Sequence, residues 1–151
     1  MELKPIGVVK SAVVEEIDRN WGDHKDAEVH VNPELVPGLK GLKEFSHVII
    51  VFHMHGTPPF DPATNMVRRP RGQADMPELG IFAQRAKHRP HPIGITPVKL
   101  VSVEGNVLKV QGLDAVDGTP VLDIKPYFPI FDRVDGVTTP EWVDRLMNGY
   151  F

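Results

Sequence analysis

Three groups of residues carry the side chains that chemistry would need. Asp123, Lys125 and Tyr127 stand two apart at the end of an apolar run, so in a strand they share one face while Ile124 points the other way. That sets a carboxylate, an ammonium and a phenol side by side; the plainer alternative is an exposed Asp–Lys pair worth less than about 1 kcal/mol. In the tetrapeptide FHMH that ends at His55, His53 and His55 point the same way if the strand continues, which raises the question of a metal. No third ligand has convincing spacing, although His47, His88 and His91 could be folded near. Histidines that simply complete hydrogen bonds are the commoner case, so no metal is expected. The third group lies in Gly80–Leu100, GIFAQRAKHRPHPIGITPVKL. Arg85, Lys87, His88 and Arg89 crowd into a few residues, and Pro90, Pro92 and Gly94 then exclude helix. The prolines stiffen a basic corner, so Arg89 and His91 would meet a ligand at small entropic cost. An Arg89 that only pairs with an acid to lock the turn is the equal alternative.

Charge distribution says more than net charge. The total of −3 argues against a protein that coats nucleic acid, yet Arg68–Arg89 holds six Lys or Arg against two acids, while the remainder has 11 bases against 18 acids. The asymmetry suggests an anionic ligand in one place, with a solvated loop as the alternative. The absence of cysteine removes thiol nucleophiles, disulfides and thiolate metal sites and fits a cytoplasmic protein. The N-terminus, MELKPIGVVK, has no long apolar core, and no stretch approaches the roughly 20 apolar residues of a membrane span, so no membrane partner is expected. With 151 residues, 41% of them hydrophobic, the chain fits one domain, residues 1–151, with a sizeable core.

The elements that must position these residues are mostly short strands. Leu3–Lys10 reads as a first strand with Gly7 as a bulge or close-approach point, and Val13–Ile17 as its extension. Arg19–Asp26 reads as a loop with Trp21 packed down, and Glu28–Val31 as a half-buried strand. Asn32–Leu42 allows a turn or two of helix, and Ser46–Phe52 reads as a central strand covered on both faces. Met54–Glu78 reads as one long functional or disordered loop, and Leu79–Phe82 as a strand start. Ile95–Val103 and Asn106–Gly112 form a hairpin signal, and Pro120–Ile124 returns to strand. A terminal helix is predicted with Thr139 as N-cap and Pro140 at its first position, presenting Trp142, Val143, Leu146 and Met147. About seven strands against one helix predict a mainly β protein: a small antiparallel β-barrel with long loops and a short C-terminal helix. No GxGxxG after a strand, phosphate-loop lysine or internal repeat points elsewhere.

The stretch Gly80–Leu100 resembles the TrmO (YaeB, TsaA-like) signature GxFAxRSxxRPNPIGxSxVxL, with Ala86 in place of a common Ser and His91 in place of the usual Asn. GLKEFSHVIIVFH, Gly41–His53, resembles the family's GLxxFSH strand, and DAVDGTPVLDIKPY, Asp114–Tyr127, its DxVDGTPVxDIKPY segment. The resemblance implies a β-barrel methyltransferase using S-adenosylmethionine (SAM) on threonylcarbamoyl-adenosine in the tRNA anticodon loop. It implies a homodimer, in a short form without the extra C-terminal domain of longer members. It also implies a cofactor site at His53, Met54, Arg89, Leu100, Asp123, Ile124, Lys125 and Pro126. Arg68, Arg69, Arg71 and Arg85 become candidates for RNA phosphates. For in-line methyl transfer to a nitrogen, His53 or Asp123 is the candidate proton acceptor, and Tyr127 would hydrogen-bond the acceptor. A small-molecule methyltransferase and a non-catalytic SAM- or RNA-binding module are the rival readings.

Overall fold

A computed structural model describes residues 1–151. Six strands close an antiparallel barrel: β1 (Gly7–Ser11), β2 (Asp26–Val31), β3 (His47–His53), β6 (Ile93–Glu104), β7 (Val107–Gln111) and β8 (Pro120–Pro126), neighbouring one another in the order β1-β2-β7-β6-β3-β8. Between β3 and β6 lie a short helix α1 (Pro62–Asn65) and a two-stranded ribbon, β4 (Val67–Arg68) with β5 (Leu79–Gly80). After β8 come α2 (Pro129–Asp132) and α3 (Glu141–Met147). The protein is mainly β, as its sequence led us to expect.

Alternation builds the core. Val48, Ile50 and Phe52 of β3, Val98 and Leu100 of β6, Leu108 and Val110 of β7, and Val9, Val29 and Val121 fill the interior. Closure depends on β6, which pairs with β3 through Ile93–Lys99 and with β7 through Lys99–Glu104, its register shifting between Leu100 and Ser102. Such a bulge bends one strand into two walls. Where Phe52 and Gly94 face each other, a Cβ on Gly94 would lie 2.4 Å from the Phe52 ring, so only glycine fits. Gly7 is the close-approach point foreseen, its absent Cβ pointing 2.5 Å from the His30 carbonyl oxygen.

Several elements differ from the sequence reading. β1 starts at Gly7 rather than Leu3, because Pro5 has no N–H to donate and the β8 partner reaches only Val121 opposite Gly7. Val13–Ile17 is not strand, although Val13 is buried. Met54–Glu78 is partly ordered into α1, β4 and a 3₁₀ turn at Pro70–Gly72, and Leu79–Phe82 leaves its strand after Gly80 for a 3₁₀ turn at Ile81–Ala83. α3 begins at Glu141, with Pro140 at the cap and no side-chain capping bond, so Thr139 does not cap it. Its Trp142, Val143 and Leu146 are half-buried and Met147 is exposed. Trp21 packs down as expected, its indole N–H donating to the Ile17 carbonyl at 3.1 Å.

Candidate cofactor and nucleic-acid site

β3 runs between β6 and β8, so the three motif segments become neighbouring staves of one wall. Val51 pairs with Ile95 on one side and Asp123 on the other; Ile49 pairs with Pro97 and Lys125. Because Val48, Ile50 and Phe52 point inward, Ile49, Val51 and His53 share the outer face with Asp123 and Lys125. The Met54 N–H donates to the Pro92 carbonyl at 2.8 Å, which ties the end of β3 to the stiff basic corner. His53, Met54, the Arg89–Pro92 corner and Asp123 are thereby gathered at one end of the wall.

Asp123 is already engaged there. One oxygen accepts from the Ile124 N–H at 2.9 Å and the other meets Lys125 Nζ at 2.7 Å, a contact that raises the Lys125 pKa above its usual value. The His53 ring is half-buried and has no hydrogen bond within the chain. Arg89 donates through Nη1 to the carbonyls of Gln84 at 3.2 Å and Ala86 at 3.3 Å, so it locks its turn through backbone oxygens rather than an acid. Leu100 lies in the core, and its N–H donates to the Ser46 carbonyl at 2.8 Å. Ile124 and Pro126 line a cavity of about 570 Å³ whose apolar wall includes Leu35, Leu39, Leu42 and Phe45.

Tyr127 does not join His53. Its N–H donates to the His47 carbonyl at 3.1 Å and its ring stands edge-on to the His47 ring, at the opposite end of β3. Six residues of extended strand separate the two histidines by roughly 20 Å. Strand rise therefore separates Tyr127 from His53, although both are candidate catalytic residues. His55 sits in a turn after the strand has ended, and no three His, Asp or Glu residues converge as metal ligands.

The four arginines divide. Arg71 is spent on structure: its guanidinium lies over the Tyr150 ring at 5.5 Å, donates to the Leu146 carbonyl at 2.9 Å and faces Asp18 at 3.8 Å. Arg69 donates to the Met76 carbonyl and faces Glu78 at 3.9 Å. Arg85 is exposed, with one nitrogen donating to the Ile95 carbonyl at 2.7 Å, and Arg68 has no acidic partner. Burial, Arg68 and Lys87 together lower the His88 pKa, which locates Arg68 beside this corner.

Two polar groups hold the site together in roles that the sequence did not signal. Gln84 is buried, and its side-chain amide donates to the Arg68 carbonyl at 2.8 Å and the Leu79 carbonyl at 3.0 Å, holding the ribbon to the corner. Asp114 accepts from Thr96 at 2.5 Å and from the Tyr150 hydroxyl at 2.6 Å, while burial and the Asp114 charge push the Tyr150 pKa up. Partners 36 residues apart leave no local pattern to read.

The family described as tRNA-methyltransferase O N-terminal domain matches residues 17–133. The chain belongs to the TrmO family. A probable S-adenosyl-L-methionine-binding protein of Pyrococcus abyssi is 41% identical over 149 residues, 96% of this chain and 77% of that protein. The human tRNA (adenine(37)-N6)-methyltransferase is 41% identical over 117 residues, 78% of this chain but 25% of the human protein. A crystal structure of TrmO from Pseudomonas aeruginosa matches with a TM-score of 0.74 at 32% identity, covering 94% of this chain and 61% of that one. The chain thus spans less than two thirds of the TrmO structure and about a quarter of the human relative.

Proposed function

We propose that residues 1–151 form one catalytic domain, an S-adenosylmethionine-dependent tRNA methyltransferase whose acceptor is the N6 of threonylcarbamoyl-adenosine in the anticodon loop. The observation that carries this reading is the convergence of the three motif segments on β6, β3 and β8, joined by the Met54–Pro92 bond. The residues present fit the cofactor. At the His53 end of the wall Asp123 suits an ammonium and Arg89 or Lys125 suits a carboxylate, whereas the apolar cavity beside Ile124 and Pro126 opens toward the His47 end of β3 and is not assigned to this site. When bound, S-adenosylmethionine supplies an electrophilic methyl group.

The chain's own task is to hold the acceptor in line and take its proton. Between the two candidates, hydrogen bonding favours His53: both Asp123 oxygens are engaged, whereas the His53 ring is free. We therefore assign proton acceptance to His53 and orientation of the cofactor to Asp123. The wider reading is of a cytoplasmic homodimer. It is supported by the exposed apolar residues Ile130, Phe131, Val134 and Val137 after β8, and no helix is long and apolar enough to cross a membrane.

The test is calorimetric titration with S-adenosylmethionine, then methyl transfer to tRNA with and without the threonylcarbamoyl group. Binding with transfer only to the modified tRNA supports the whole proposal. Binding without transfer to either removes the acceptor, and absence of binding removes the cofactor. His53→Gln should retain cofactor affinity and lose turnover, whereas Asp123→Asn should weaken cofactor binding; the reverse pattern overturns the division of roles.

A further inference from the structure

Phe82 is 74% exposed although its neighbours are fixed: Ile81 is buried at 1% exposure, and Gln84 at 7% is bonded to two backbone carbonyls. The ring is thus carried on a 3₁₀ turn, Ile81–Ala83, whose Ile81 N–H donates to the Met66 carbonyl at 2.9 Å. The backbone that carries the ring loses little freedom on contact with a ligand. The same turn leads directly to Arg85, and the ribbon paired with it carries Arg68 opposite Leu79. Three of the basic residues nearby are neutralised, Arg69 by Glu78, Arg71 by Asp18 and Lys87 by Glu16. Arg68, Arg85 and Arg89 have no acidic partner, so the exposed aromatic stands in a cationic setting.

An exposed ring on a fixed turn, with arginines nearby that have no acidic partner, suits single-stranded nucleic acid, where bases stack on aromatics and phosphates meet cations. Duplex RNA buries its base faces and offers no such contact. We infer that Phe82 is a stacking platform for an unpaired base of the RNA loop, with Arg68 and Arg85 meeting the flanking phosphates. This rests on the tRNA reading and adds a base contact to it.

The test is fluorescence anisotropy of the full chain with a labelled anticodon stem-loop and with a fully paired duplex of equal length, for wild type, Phe82→Leu and Phe82→Trp. Phe82→Leu should bind the stem-loop about tenfold more weakly with an unchanged salt slope, Phe82→Trp should restore affinity, and duplex binding should not respond. Unchanged melting temperatures would show that each variant folds. Equal stem-loop affinity for Phe82→Leu and wild type overturns the platform while leaving the tRNA reading intact. No stem-loop binding by wild type overturns both. A loss that accompanies dissociation of a dimer in sedimentation velocity overturns the platform too and assigns the ring to a contact with a second copy.

Discussion

At the scale of single residues, burial and hydrogen bonding decide which polar groups are structural and which are free to react. The Tyr150 hydroxyl donates to Asp114 at 2.6 Å while the carboxylate also accepts from Thr96, a charge-assisted pair of bonds that fastens the C-terminal segment to β6. Tyr150→Phe should lower stability by about 1–3 kcal/mol in urea denaturation. The pH dependence has a definite sign. Because the folded Tyr150 pKa is raised, its contribution is complete below the unfolded value of about 10 and is lost as pH climbs above it; the Phe variant should lack that alkaline decline. His88 behaves in the opposite sense. Its folded pKa is lowered by burial, then by Arg68 and Lys87, so the neutral ring is favoured and its contribution is lost as pH falls below about 6.5. Denaturation of His88→Gln between pH 5 and 8 should show a flatter acid limb than wild type.

Elements were legible where one local rule governed them. The alternation of β6 and β7, the glycine turn between them, and the continuous Val and Ile run of β3 were visible because side-chain period and turn chemistry act over a few residues. The gathering of His53 with the Arg89–Pro92 corner depended instead on strand order, which no local pattern specifies. Tyr127 shows the limit of a face argument: sharing a face with Asp123 says nothing about distance along the strand, and Tyr127 lies beside His47 rather than His53. Arg71 was legible as a cation but not as a half-buried, engaged one, since its partners Tyr150 and Leu146 lie about 75 residues away. The seam between β3 and β6 gives a direct test of element packing. A methyl added at Gly94 must displace the buried Phe52 ring, so Gly94→Ala should cost about 1–3 kcal/mol of stability, measured as a lower urea midpoint with an unchanged slope.

Over the whole molecule, an overall charge of −3 coexists with one cationic corner, and the salt dependence of RNA binding reports how many cations that corner commits. Four arginines on a single strand would give a slope of log K against log salt near about −2.8, and two would give about −1.4. The geometry favours the smaller figure, because Arg71 is held by Tyr150, Leu146 and Asp18, and Arg69 by Met76 and Glu78. Arg68→Gln and Arg85→Gln should each make the slope shallower by about 0.7 while leaving the fold intact. Arg71→Gln should leave the slope unchanged but lower stability by about 1 kcal/mol through its lost aromatic and carbonyl contacts. A slope near −2.8 that falls equally in all these variants would mean that the Arg71 contacts open when RNA binds. The structural and functional cations of this corner would then be one set rather than two.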